Sequence, residues 1–179
     1  SSNYPALIDP TDDELRNRLT KVGRALAWKA ADERRAIGVS GATCDHWFTI
    51  ADNVVVEADG SRKRPFKAPA AHEPVIPTST TLLLACIGIS AFGRPIADGC
   101  HRPELVAALA TCGVGDVLTP RRAAAVLLSP AGSQKDRPPT ARFVVALHRV
   151  REVDSDTVTE LAEALGDKAE LVAVRERAS

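Results

Sequence analysis

Four short runs of this chain are apolar almost without a break: NVVVEA at 53–58, TLLLACIG at 81–88, RFVVAL at 142–147 and LVAV at 171–174. A strand with one wet face alternates apolar and polar residues, whereas a continuous run needs burial on both faces. The stretches between these runs carry helix signals. Strands buried on both faces and separated by helices predict an α/β fold, a mostly parallel sheet joined by right-handed crossovers and flanked by helices. Ligands of such sheets bind beyond the carboxyl ends of the strands, so those ends are where a site is sought.

The helix signals are specific. Thr11-Asp12-Asp13-Glu14 fits a capping box, and Leu15, Leu19, Val22 and Leu26 follow as one apolar stripe of a helix that ends before Gly38. Residues 38–47 read as a connection containing one short helical turn. Pro103 opens a helix to Cys112, and Thr119-Pro120 opens another through Leu128. Ser155 caps a third helix, which carries Val158, Leu161 and Leu165 and closes at Gly166. Residues 1–10 read as a linker and 129–140 as a polar loop. Residues 60–80 hold four prolines and no periodicity, and loops of that length are uncommon unless functional.

With 179 residues, 45% hydrophobic and 26% charged, the chain reads as one globular domain over 1–179 that can bury a core without metals or disulfides. Lys plus Arg and Asp plus Glu both total 23, which removes the electrostatic warrant for binding nucleic acid or an acidic membrane. Small molecules or another protein are the expected partners. Cys44, Cys86, Cys100 and Cys112 form no CxxC pair, and together with His46 and His101 they match no zinc spacing. No apolar stretch reaches the length of a membrane span and no signal-peptide leader is seen, so a cytoplasmic location is expected.

Glu57 and Asp59 sit at the carboxyl end of the first predicted strand. P-loop nucleotide hydrolases hold magnesium beside the phosphates with an acid at such an end; many buried strands also end in an acid that only caps a loop. Gly60 lets the backbone turn and its N–H approach an anion. Arg62, Lys63, Arg64 and Lys67 form an oxyanion clamp if two of them point inward, or a solvated basic loop if they do not. His72-Glu73 and His101-Arg102-Pro103-Glu104 set an imidazole beside an acid in two loops, as acid–base machinery or as loop packing.

The run VVVEADGSRKRPFKAPAAHEPVIP at 54–77 resembles the YqeC family of selenium cofactor biosynthesis proteins, which accompany selenium-dependent molybdenum hydroxylases. Thr80-Thr81, Gly88, Gly93 and His101 to Glu104 continue the likeness, which is read from Ile37 to Val150. The resemblance implies a P-loop NTPase-like fold and ATP or GTP with magnesium, Glu57 and Asp59 being the catalytic and metal-holding residues. It also implies that Gly60, Ser61 and Arg62 face the nucleotide, while Lys67, His72, Glu73, His101 and Arg102 shape a second pocket. The family's Gly-rich Lys-Thr loop is absent: GxxxxGK followed by Ser or Thr occurs nowhere, and Ser1 falls after the point where that strand, loop and helix would lie. The chain is therefore expected to be the C-terminal portion of a longer NTPase-like domain, with an uncovered apolar sheet face and a tendency to self-associate. Leu147-His148-Arg149-Val150 stands where related GTPases carry Asn-Lys-x-Asp, so guanine specificity is not implied. Two functions remain open at this point. One is a nucleotide-dependent accessory to the hydroxylase; the other is a non-catalytic module that binds an oxyanion or cofactor, or docks on the hydroxylase.

Overall fold

A computed structural model describes residues 5–32 and 36–175. The chain divides into two compact units, Ser1–Glu57 with Ile76–Ser79, and Ala58–Val75 with Thr80–Ser179.

In the first unit, β1 (Leu7–Ile8) runs parallel to β2 (Ala27–Trp28), and α1 (Asp12–Val22) makes the crossover. The capping box forms: the Glu14 N–H donates to Thr11 Oγ1 at 3.3 Å and the Thr11 N–H donates to Glu14 Oε2 at 2.9 Å. The apolar stripe outruns its helix. Gly23 adopts φ 73° and donates its N–H to the Leu19 carbonyl at 2.7 Å, so α1 ends before Leu26 and buries only Leu15. β3 (Ala30–Ala31) pairs antiparallel with β4 (Ala36–Ile37), and the expected single turn is the seven-residue helix α2 (Gly41–Trp47), capped by Ser40. Asp45 on α2 clasps the returning segment. The Ser79 N–H and hydroxyl donate to its Oδ1 at 2.8 and 2.5 Å, and those of Thr78 donate to Oδ2 at 3.1 and 2.9 Å. These bonds, those of Ser79 foremost, lower the Asp45 carboxyl to about 2.

The strand predicted at 53–58 does not form: these residues have no regular structure, and Val55 is 97% exposed. A β-branched run becomes a strand only where a neighbour pairs its backbone and a surface covers its side chains, and among the described residues no strand lies beside this one, whose Ala58 carbonyl accepts a single bond from the Val75 N–H at 3.2 Å.

The second unit contains β5 (Phe66–Lys67), β6 (Leu82–Gly88), α3 (Ile96–Gly99), β7 (Cys100–His101) and α4 (Pro103–Leu109). It continues with α5 (Pro120–Leu128), β8 (Arg142–Val150), α6 (Ser155–Leu165) and β9 (Glu170–Arg175). Here the predicted helices and strands all appear. The main sheet has the order β6-β8-β9 with every pair parallel, as strands joined by helical crossovers allow. A second parallel pair joins β5, inside the proline-rich segment, to β7. The core lies on one face of the sheet, where Ile87, Val145 and Leu147 meet Val126 and Leu127 of α5 and Leu161 and Leu165 of α6. Burial on both faces holds only for the central strand. On the flanking strands Leu84 of β6 is 49% exposed and Val174 of β9 is 48% exposed, so the opposite face is partly open. The architecture is mixed α/β with parallel sheets and flanking helices.

Candidate functional site

The site lies in the second unit and begins at Gly88, the carboxyl end of β6. Its N–H donates to the Pro65 carbonyl at 2.8 Å. A Cβ on Gly88 would sit 3.0 Å from Pro65 Cβ and 3.2 Å from His148 Cε1, so glycine lets the basic loop lie directly against the strand end. β5 follows at once. Buried Phe66 and Ala68 anchor it on either side of Lys67, and its parallel pairing sets Phe66 beside Cys100 and Lys67 beside His101.

Lys67 is the hub. Its Nζ lies 2.9 Å from Asp59 Oδ2 and 2.7 Å from Glu73 Oε1, and donates to the Gly60 carbonyl at 2.9 Å. The same Glu73 oxygen accepts from Arg102 Nη1, which also donates to the Ala68 carbonyl at 3.3 Å. Burial by itself works against ionisation of Glu73. Hydrogen bonds from Lys67 and Arg102 outweigh it and bring the Glu73 carboxyl down to about 2. His101 is held below the usual imidazole range, first by desolvation and then by the charges of Arg102, Arg62 and Lys67, against the opposing pull of Glu73. A neutral imidazole therefore sits among cations. It offers one N–H donor and one acceptor nitrogen.

The backbone here is strained at basic residues. The Arg64 N–H donates to the Ser61 carbonyl at 3.0 Å, closing a turn in which Arg62 and Lys63 take φ 49° and 62°. Arg102 takes φ 57° at the start of α4. Left-handed backbone costs an L residue roughly 1–2 kcal/mol, and such strain concentrates at functional sites. Arg64 has a structural engagement, donating from Nη1 to the Asp98 carbonyl. Cys100 and Cys86 are not activated: desolvation raises Cys100 to about 11 against the opposing charge of Arg64, while desolvation and then Asp59 raise Cys86.

Of the residues singled out in the sequence, Asp59, Gly60, Lys67, Glu73 and Arg102 are joined in one network, with His101 and Arg62 within electrostatic reach. Ser61 serves through its carbonyl in the turn. His72 is exposed and outside the network, and Glu57 is exposed and belongs to the other compact unit. The structural premise for magnesium on Glu57 and Asp59, a strand ending in paired acids, is missing. Asp59 gives its charge to Lys67, which works against a cation at that carboxylate. Among the described residues no group of three or more His, Cys, Asp and Glu is placed to hold a metal ion.

The family model for YqeC protein matches residues 2–104, more than half of the chain. The chain belongs to the YqeC family. The uncharacterized protein YqeC of Escherichia coli strain K12 is 30% identical over 105 residues, which are 58% of this chain and 41% of that relative. The chain thus matches less than half the length of its curated relative. No solved structure matches. The family match reaches Glu104 and not Val150, so the Lys67 network falls inside it while β8, α6 and β9 fall beyond it. Among the described residues no helix is long and apolar enough to cross a membrane.

Proposed function

We propose that this chain is a cytoplasmic accessory protein in selenium cofactor biosynthesis or in maturation of a selenium-dependent molybdenum hydroxylase. In that role it binds an oxyanion at the Lys67, Arg62 and Arg102 cluster. The YqeC resemblance supplies the selenium context. The observation that carries the binding step is the shared Glu73 carboxylate, which fixes an ammonium and a guanidinium at one point. Three cations against two carboxylates leave a positive surplus, and the neutral His101 adds an N–H donor. Cations already held in place lose little freedom when an anion arrives, which is where affinity is gained.

The resemblance also implies ATP or GTP turnover with magnesium on Glu57 and Asp59. The Lys67 ammonium on Asp59 speaks for oxyanion binding without nucleotide as the better reading. Calorimetric titration with orthophosphate, selenite and magnesium-ATP separates the two. Oxyanion binding should need no magnesium and should weaken at least about tenfold in Arg62→Gly, as loss of a charge-assisted contact requires. Tight magnesium-ATP binding that is lost in Glu57→Gln with Asp59→Asn would instead favour the nucleotide reading. No binding of any probe would end the proposal. Retention of the hydroxylase by the bound chain, abolished by Arg62→Gly and indifferent to nucleotide, tests the partner.

A further inference from the structure

Beyond the ends of β6 and β8 lies an open cavity of about 480 Å³ whose lining shares no residue with the Lys67 network. Parallel sheets bind ligands at this position, and the volume falls within the range of small-molecule sites. Ile89 and Phe92, from the turn after β6, form an apolar wall, and Ser90 and Thr157 add hydroxyls.

Three charged residues complete the lining: Arg149, Arg151 and Asp154. Asp154 is matched by Arg151, whose backbone N–H donates to Oδ2 at 2.8 Å and whose Nε lies 3.3 Å from the same oxygen. Arg149 has no ion pair among the described residues. It is also the residue that the sheet leaves out: His148 pairs with Val174 and Val150 with Arg175, so Arg149 is a bulge, with φ 62°. Bulges bend a strand and re-aim one side chain, and they recur beside binding sites. A surplus guanidinium set on a bulge, lining a cavity that also presents Ile89 and Phe92, suits a planar or tetrahedral anion that it can grip with two N–H groups.

We propose that this cavity is a second binding site, for a small organic anion whose carboxylate or phosphate meets Arg149 and whose carbon body lies on Ile89 and Phe92. Much of the cavity, Arg149 included, falls beyond the stretch that matches the family. The test is an NMR titration of the whole chain with benzoate and with phenyl phosphate at constant ionic strength. Saturable shifts of the Ser90, Gly93, Arg149 and Thr157 amides are expected. The probe that gives them identifies the anionic group. Arg149→Asn, which keeps a residue tolerant of left-handed backbone, should weaken that binding at least about tenfold, whereas Arg62→Gly should leave it unchanged. The proposal is overturned if neither probe moves these amides, if Arg149→Asn binds as well as the parent, or if the shifts are confined to Lys67 and His101.

Discussion

At the scale of single residues, Glu73 does the most. It is a largely buried acid that stays ionised because Lys67 and Arg102 both donate to it, so its folded pKa lies below its unfolded one. A depressed carboxyl contributes stability that is complete above the ordinary value of 4.5 and is lost as pH falls toward about 2. Glu73→Gln is expected to cost about 1–3 kcal/mol at neutral pH, since two donors lose their charged acceptor, and to flatten the stability profile across that acid window. Denaturant melts at several pH values check both effects. Arg62 should behave in the opposite way. Glycine relieves its left-handed backbone, so Arg62→Gly is expected to raise stability by about 1 kcal/mol while weakening anion binding. Most of these residues were legible in the sequence, because titratable side chains crowd a proline-rich segment too long for an idle loop. Who pairs with whom was not. Lys67 meets His101 and Glu73 meets Arg102 only because β5 pairs with β7, and two-residue strands leave no periodicity to read.

Among the elements, the helices and strands after Thr80 were legible, since caps, prolines at first turns and continuous apolar runs all agreed. The run at 53–58 carries the same apolar signal and forms no strand. What separates it from RFVVAL is a partner, which a local pattern does not contain. Gly23 is equally decisive: its left-handed cap ends the helix although the apolar stripe continues to Leu26. Gly88 is the element-scale position on which the site depends. Gly88→Ala would press a methyl against Pro65 and His148, at a cost of roughly 1–3 kcal/mol. It should also loosen the basic loop, visible as faster hydrogen exchange at the Arg64 amide than in the parent. Unchanged exchange would mean that the loop is held elsewhere.

For the whole molecule, membership of the YqeC family is shown by a match over residues 2–104, and the proposed oxyanion binding concerns the Lys67 cluster inside that stretch. The partly open sheet face, with Leu82, Leu84, Val172 and Val174 exposed, is an association liability. Light scattering is expected to show mass rising with concentration, and Leu84→Lys with Val172→Lys should reduce that rise; a monomer throughout would contradict the expected self-association. The most direct test of anion binding at the cluster is the His101 pKa, followed by NMR with and without saturating orthophosphate. Without the anion it should lie below the ordinary 6.5, held down by desolvation and by Arg102, Arg62 and Lys67. A bound anion offsets those cations, so the pKa should rise on addition of phosphate. A His101 pKa that phosphate leaves unmoved would contradict oxyanion binding at this cluster.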